Sequence, residues 1–237
     1  MRIAVLGFVA ALATLAWTAG GVSAAAPVDV FNAGERTESV QLGGVGAHDL
    51  KRGTVYGAST FPLKLTARPP DALWLGGQTQ ASTFRFVVFQ HKYLRNAQGK
   101  VSVWGSGEVA VETGTGKTGS VAQVLKNLRS TPQISVTTPV SVHVAGYAGQ
   151  QFDATVTGAE PGEHGEAFVP FSGDPRPGGD HMFVRKGEKL RIIVVGVRGK
   201  TVVIYEQPAF DHPEKTFPAF TSAAKRLLAT MVLGAKT

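Results

Sequence analysis

The chain of 237 residues contains no cysteine. That absence excludes a disulfide framework, a thiolate zinc site, an iron–sulfur cluster and a cysteine nucleophile. Charge is sparse too: 17% of residues are Asp, Glu, Lys or Arg, too few for a coiled coil or a long solvated helix. Beyond the first two dozen residues no apolar run is long enough to span a bilayer; the best, residues 190–197, is cut short by Gly196 and Arg198. There is no G-x-S-x-G nucleophile elbow and no H-E-x-x-H pair. What is there is apolar material, 43% of the chain, with 29 Gly and 13 Pro. So much apolar material in a chain of this length can bury a real core and excludes wholesale disorder. The residues establish a compartment and an architecture more readily than a reaction.

The N-terminus has the pattern of a secretory signal. Arg2 supplies a positive start, residues 3–17 are apolar apart from Gly and Thr, and Val22-Ser23-Ala24 has small side chains where a signal peptidase reads them. Cleavage after Ala24 is expected, with retention as an anchor the alternative. No cysteine follows for a lipid anchor. The expected product is secreted or periplasmic, with no transmembrane span after signal cleavage. Export removes it from cytosolic nucleotide pools, and no cofactor is expected. Residues 25–50, rich in Gly and weakly periodic, read as an irregular lead-in, and residues 51–237 as a single domain.

Strand signals dominate that domain. Residues 83–90 are β-branched and aromatic, 92–100 read as a turn, and Gly105-Ser106-Gly107 reads as a bulge or a second hairpin turn. Residues 134–136 and 140–144 alternate apolar with polar, each with one face to bury, and Pro139 between them marks a break or a sheet edge. A strand over 151–156 is expected across a turn at 146–149. Residues 189–197 and 200–206 flank Arg198-Gly199, the signature of a tight hairpin. Two helices are expected. In the first, from Ser120 to Arg129, Val121, Val124, Leu125 and Leu128 form one stripe, and Ser120 with Gln123 has capping-box spacing. The second, from Thr216 to Met231, carries Phe217, Phe220, Ala224, Leu227, Leu228 and Met231 on one face, with Thr216 as cap and Pro218 in the first turn. The expected fold class is α+β: a largely antiparallel β-sheet with two amphipathic helices packed on it.

Residues 120–231 carry a resemblance. The helix over 121–128, Pro132-Gln133-Ile134-Ser135-Val136, Gly146-Tyr147-Ala148-Gly149, the strands over 151–156, 187–195 and 199–204, and a final helix with Phe217 and Phe220 together resemble a family of exported bacterial proteins of uncharacterised function. The segment is also similar to the PsbP-like α/β/α sandwich, an antiparallel sheet covered by helices. The resemblance implies fold and export and carries no catalytic residue across.

Several motifs hold candidate chemistry. Gly114-Thr115-Gly116-Lys117-Thr118 sits between a strand and a helix as a phosphate loop would, but Val111 stands where the first glycine belongs. Ser222-Ala223-Ala224-Lys225 matches S-x-x-K and Lys117-Thr118-Gly119 matches K-T-G, in the reverse of the order that serine penicillin-recognising enzymes use. Residues 158–180 hold five carboxylates against one base, Arg176. Within and beside this loop Glu163, His164, Asp180 and His181 are candidate ligands of a divalent cation, which would make a metal-assisted hydrolase; the plain alternative is a solvated acidic insertion. Glu112 and Asp153 read as structural hydrogen-bond acceptors. The net charge of +7 points to an anionic partner. The candidate surface is Arg185, Lys186, Lys189, Arg191, Arg198 and Lys200, where Lys189 and Arg191 share a strand face by alternation. Tyr205 is the only aromatic in the final hairpin, which argues against nucleic acid. An anionic envelope polymer, a lipid surface or another envelope protein remains as partner. The sequence thus supports a non-enzymatic binding or structural protein of the cell envelope, or an accessory factor for another envelope protein.

Overall fold

A computed structural model describes residues 26–29, 41–42, 45–58, 61–77, 85–95, 101–113, 120–130, 134–158, 186–208 and 213–235. In chain order the strands are β1 (Val28–Asp29), β2 (Gln41–Leu42), β3 (Val45–Asp49), β4 (Tyr56–Gly57), β5 (Lys64–Ala67), β6 (Trp74–Gly77), β7 (Arg85–Arg95) and β8 (Val101–Thr113). Helix α1 (Val121–Ser130) follows, then β9 (Ile134–Val136), β10 (Val140–Val144), β11 (Tyr147–Val156), β12 (Lys189–Val197), β13 (Lys200–Pro208), helix α2 (Pro213–Leu228) and β14 (Val232–Gly234). Ten strands form one sheet, ordered β10-β11-β12-β13-β8-β7-β6-β3-β2, with β9 also on β11. All of its pairings are antiparallel. A second, four-stranded sheet runs β1-β4-β5-β14, and only its β1–β4 pair is parallel.

Turn chemistry fixes the hairpins. Arg198 and Gly199 both take positive φ, 50° and 78°, between the paired residues Val197 and Lys200. Two left-handed residues match the twist of the flanking strands, which is why this two-residue turn closes a hairpin. The β10–β11 turn is built the same way on Ala145 and Gly146, at 50° and 84°. It is tighter than the expected connection over 146–149, and β11 begins at Tyr147. Of the turn expected over 92–100, residues 92–95 are strand, because β7 runs on to Arg95, and 96–100 lie outside the described residues. At Gly105-Ser106-Gly107 the bulge is what forms: Gln90 pairs with Gly107 and His91 with Gly105, leaving Ser106 as the extra residue. β9 and β10 lie along one side of β11 with Pro139 between them, at the sheet edge.

The helices differ from expectation at their ends. Ser120 caps α1, its Oγ accepting from the Gln123 N–H at 3.4 Å and its carbonyl from Gln123 and Val124. α2 starts a turn earlier than Thr216, with Pro213 in the first position, where the missing N–H costs nothing. Pro218 therefore lies inside the helix. Met231 is beyond it, and Val232–Gly234 turns into β14. The stripe of α2 is buried nonetheless. Phe220, Ala224, Leu227 and Leu228 share a cluster with Val109, Val111, Ile193, Val195 and Ile204. A second cluster holds Val124 with Ala110, Phe152, Leu190, Ile192, Val194, Val203 and Tyr205. Odd residues of β12 belong to the first cluster and even residues to the second, as the two-residue period of a strand requires. The central strands β12, β13 and β8 thus bury residues on both faces, whereas β11 buries Phe152, Ala154 and Val156 on one. Within the expected lead-in, β3 pairs with β6 and Leu50 is buried in the first cluster.

A candidate anion-binding cleft beside helix α2

Two charged residues interrupt the apolar runs of the central hairpin on the α2 side: Arg191 in β12 and Glu206 in β13. Register places them opposite one another, and places Asp153 of β11 opposite Arg191 from the other side. Directly paired residues on neighbouring strands share a face, so Asp153, Arg191 and Glu206 form one row. The guanidinium of Arg191 grips Asp153 with two bonds, Nε to Oδ1 at 2.8 Å and Nη2 to Oδ2 at 3.1 Å. Such fork geometry fixes orientation as well as energy. Asp153 is itself held by Thr137: the Thr137 N–H donates to the Asp153 carbonyl, and the Asp153 N–H donates to Thr137 Oγ1, both at 2.9 Å. Above the row, the Phe217 ring of α2 lies 5.5 Å from Arg191 Cζ, within cation–π range.

Glu206 is the anomaly. It is 1% exposed, and its Oε2 has no hydrogen-bond partner. Burial pushes its carboxyl up to about 8; Arg191 pulls it down and Asp153 pushes it up again. Burial, which penalises the charged form, thus favours the protonated carboxyl at neutral pH, and the neighbouring Asp153 adds to it. Arg191 is held above its ordinary value, mainly by its bonds to Asp153.

The row borders an open cleft of about 370 Å³, lined by Arg191, Phe217, Pro218, Thr221, Ser222 and Lys225. α2 supplies five of these, and its local chemistry shapes the wall. Pro218 cannot donate to the preceding turn, and the Thr221 hydroxyl instead shares its proton between the carbonyls of Phe217 at 2.9 Å and Pro218 at 3.2 Å. Ser222 and Lys225, one turn apart, present a hydroxyl and an ammonium. Lys225 has no ion-pair partner among the described residues, whereas Arg226 faces Asp71 at 3.6 Å. Among the described residues the cleft therefore carries one positive charge, that of Lys225, with no ion-pair partner. Ser222 and Lys225 are the S-x-x-K residues, but both are exposed, and a lysine base must be desolvated to activate a hydroxyl.

The candidate basic surface is divided. Lys186 is exposed in the turn before β12, with Lys189 and Arg191 half-buried beyond it. Arg198 and Lys200 are exposed at the other end of the hairpin, more than about 20 Å along the strand. Arg185 lies outside the described residues, as do the metal candidates Glu163, His164, Asp180 and His181, the signal segment 1–24 and the glycine-rich stretch 114–118. Among the described residues no group of three or more His, Asp or Glu could hold a metal ion. No helix among them is long and apolar enough to cross a membrane. The sequence singled out Arg191 for its charge but not Glu206, the residue opposite it on β13. The one available signal was a carboxylate inside an otherwise apolar strand, residues 202–205 leading into Glu206. No protein-family model matches the chain, and no curated protein matches it.

Proposed function

We propose that the chain is an exported, non-enzymatic binding protein of the cell envelope. In this reading the two amphipathic helices pack on opposite faces of the sheet, in the manner of the PsbP-like sandwich, and the cleft beside α2 takes an anionic partner. One observation carries the reading: a half-buried arginine, locked in orientation by Asp153 and roofed by Phe217, borders an open cleft that an exposed lysine also lines. Fixed cationic groups at a concave surface are what anion recognition needs. The N-terminal signal pattern and the excess of basic residues support export and an anionic partner.

The test has two parts. Sequencing the protein from the extracytoplasmic fraction should give Ala25 as the new N-terminus. Thermal unfolding of the purified protein should then be followed with small carboxylates, inorganic phosphate, poly-glutamate and phosphatidylglycerol vesicles. At least one anion should raise the melting temperature in a concentration-dependent way, and Lys225→Glu should abolish the rise. Stabilisation by no anion, or one indifferent to Lys225→Glu, refutes the reading.

A further inference from the structure

The cleft's walls are chemically unlike one another, and that asymmetry narrows the ligand. Arg191, Ser222 and Lys225 bring charged and polar groups to the lining, and Phe217 and Pro218 bring apolar surface, with Phe217 against Arg191. Asp153 occupies two of the five guanidinium donors of Arg191, leaving three. The side chain keeps 22% of its surface open. The volume falls at the low end of ligand pockets, roughly 300–1,000 Å³. Charge sets a further limit. Among the described residues Asp153 offsets Arg191, so the excess on the lining is a single positive charge on Lys225, which suits a monoanion.

We propose that the cleft binds a small amphipathic monocarboxylate, its headgroup among Arg191, Ser222 and Lys225 and its apolar body against Phe217 and Pro218. This rests on the reading of the cleft as an anion site and specifies what kind of anion enters. The same groups make binding pH-dependent. Glu206 faces Arg191 of β12, with Asp153 of β11 one strand further along the row, and the α2 wall above adds Lys225 as its charged group. While Glu206 keeps its proton the row is neutral and the cleft is cationic. When it ionises, the row turns negative beneath the binding site and the carboxylate is repelled.

Isothermal titration calorimetry of the purified protein tests this with 4-phenylbutyrate, its uncharged amide and inorganic phosphate at pH 6.5. The carboxylate should bind, with the amide, which lacks the charge, and phosphate, which lacks the apolar body, at least about tenfold weaker, and Lys225→Gln should weaken the carboxylate about tenfold. The probe stays ionised at pH 9.5, so a fall in affinity between the two pH values reports on the protein; Glu206→Gln should remove that fall. Both variants keep the size of the side chain, and melting curves confirm that they fold. Binding of phosphate in place of the carboxylate, with the same loss in Lys225→Gln, overturns the ligand class and leaves the anion site standing. Equal binding of acid and amide overturns the role of charge. No binding by any of the three overturns the ligand class; if the polyanions and vesicles also leave the melting temperature unmoved, the anion site falls with it.

Discussion

The two faces of the central hairpin are built from the same β12 and β13 residues in alternation, yet they treat polar groups in opposite ways. On the face that buries Leu190, Ile192, Val203 and Tyr205, the polar pair is satisfied: Gln207 Nε2 donates to Glu188 Oε1 at 2.7 Å, out of contact with water. On the α2 face, Glu206 keeps an unpartnered oxygen and Thr113 an unpartnered hydroxyl. An open cleft lies beside that row. A buried polar group that makes its bond serves the fold, while one left unmade costs free energy that folding alone does not recover. The difference teaches where to look for function: the first face is finished, and the second holds a charge row whose balance is set by what enters the cleft.

The sharpest way to break the comparison is to push α2 off its face. Gly107 has φ of 153°, and a Cβ there would stand 2.5 Å from the Gln207 carbonyl and 2.7 Å from the Phe220 ring. Gly107→Ala should cost about 3 kcal/mol or more in chemical denaturation, through backbone strain and overlap at the helix contact. Next comes pH. Glu206 titrates near 8 in the folded protein against an ordinary 4.5. The native state then holds a proton that the unfolded chain has released, and stability falls as pH rises from about 4.5 to about 8, then levels off. The loss is on the order of a few kcal/mol across that window. Denaturation midpoints measured at half-unit steps should show this slope, and Glu206→Gln should flatten it. The smallest effect belongs to the finished face: Gln207→Leu should cost about 1–3 kcal/mol by depriving the buried Glu188 of a partner, with the affinity for anions unchanged. If Gln207→Leu altered anion binding as strongly as Lys225→Gln, the division between the faces would fail.

Local features of this architecture were legible in the residues. Arg198-Gly199 announced its hairpin because glycine and a second left-handed residue are what a two-residue turn demands. Pro139 announced an edge, where a missing donor is harmless. The Ala145-Gly146 turn was placed too late, since an alanine at positive φ leaves little trace in composition. The second helix was carried on to Met231 because the apolar stripe continues that far, and β14 beyond it went unforeseen because three residues carry no period of their own. The charge row was illegible for a different reason. Alternation shows that Lys189 and Arg191 share a face, but the partner of Arg191 depends on strand order and register, and Asp153 is 38 residues away. Contacts of that kind belong to topology.

The seam between the chain's two ends has a temporal meaning. Thr230 Oγ1 donates to the Arg68 carbonyl and accepts from the Arg68 N–H across 162 residues, and β14 completes the sheet that β5 belongs to. A chain made or threaded from its N-terminus exposes that edge of β5, apolar Leu65 included, until the last turn of α2 and the strand after it arrive. Closing so long a loop is slow, and an unpaired edge invites the wrong neighbour meanwhile. The pairing of β14 with β5 is therefore one of the contacts that must wait for nearly the whole of this sequence to be made.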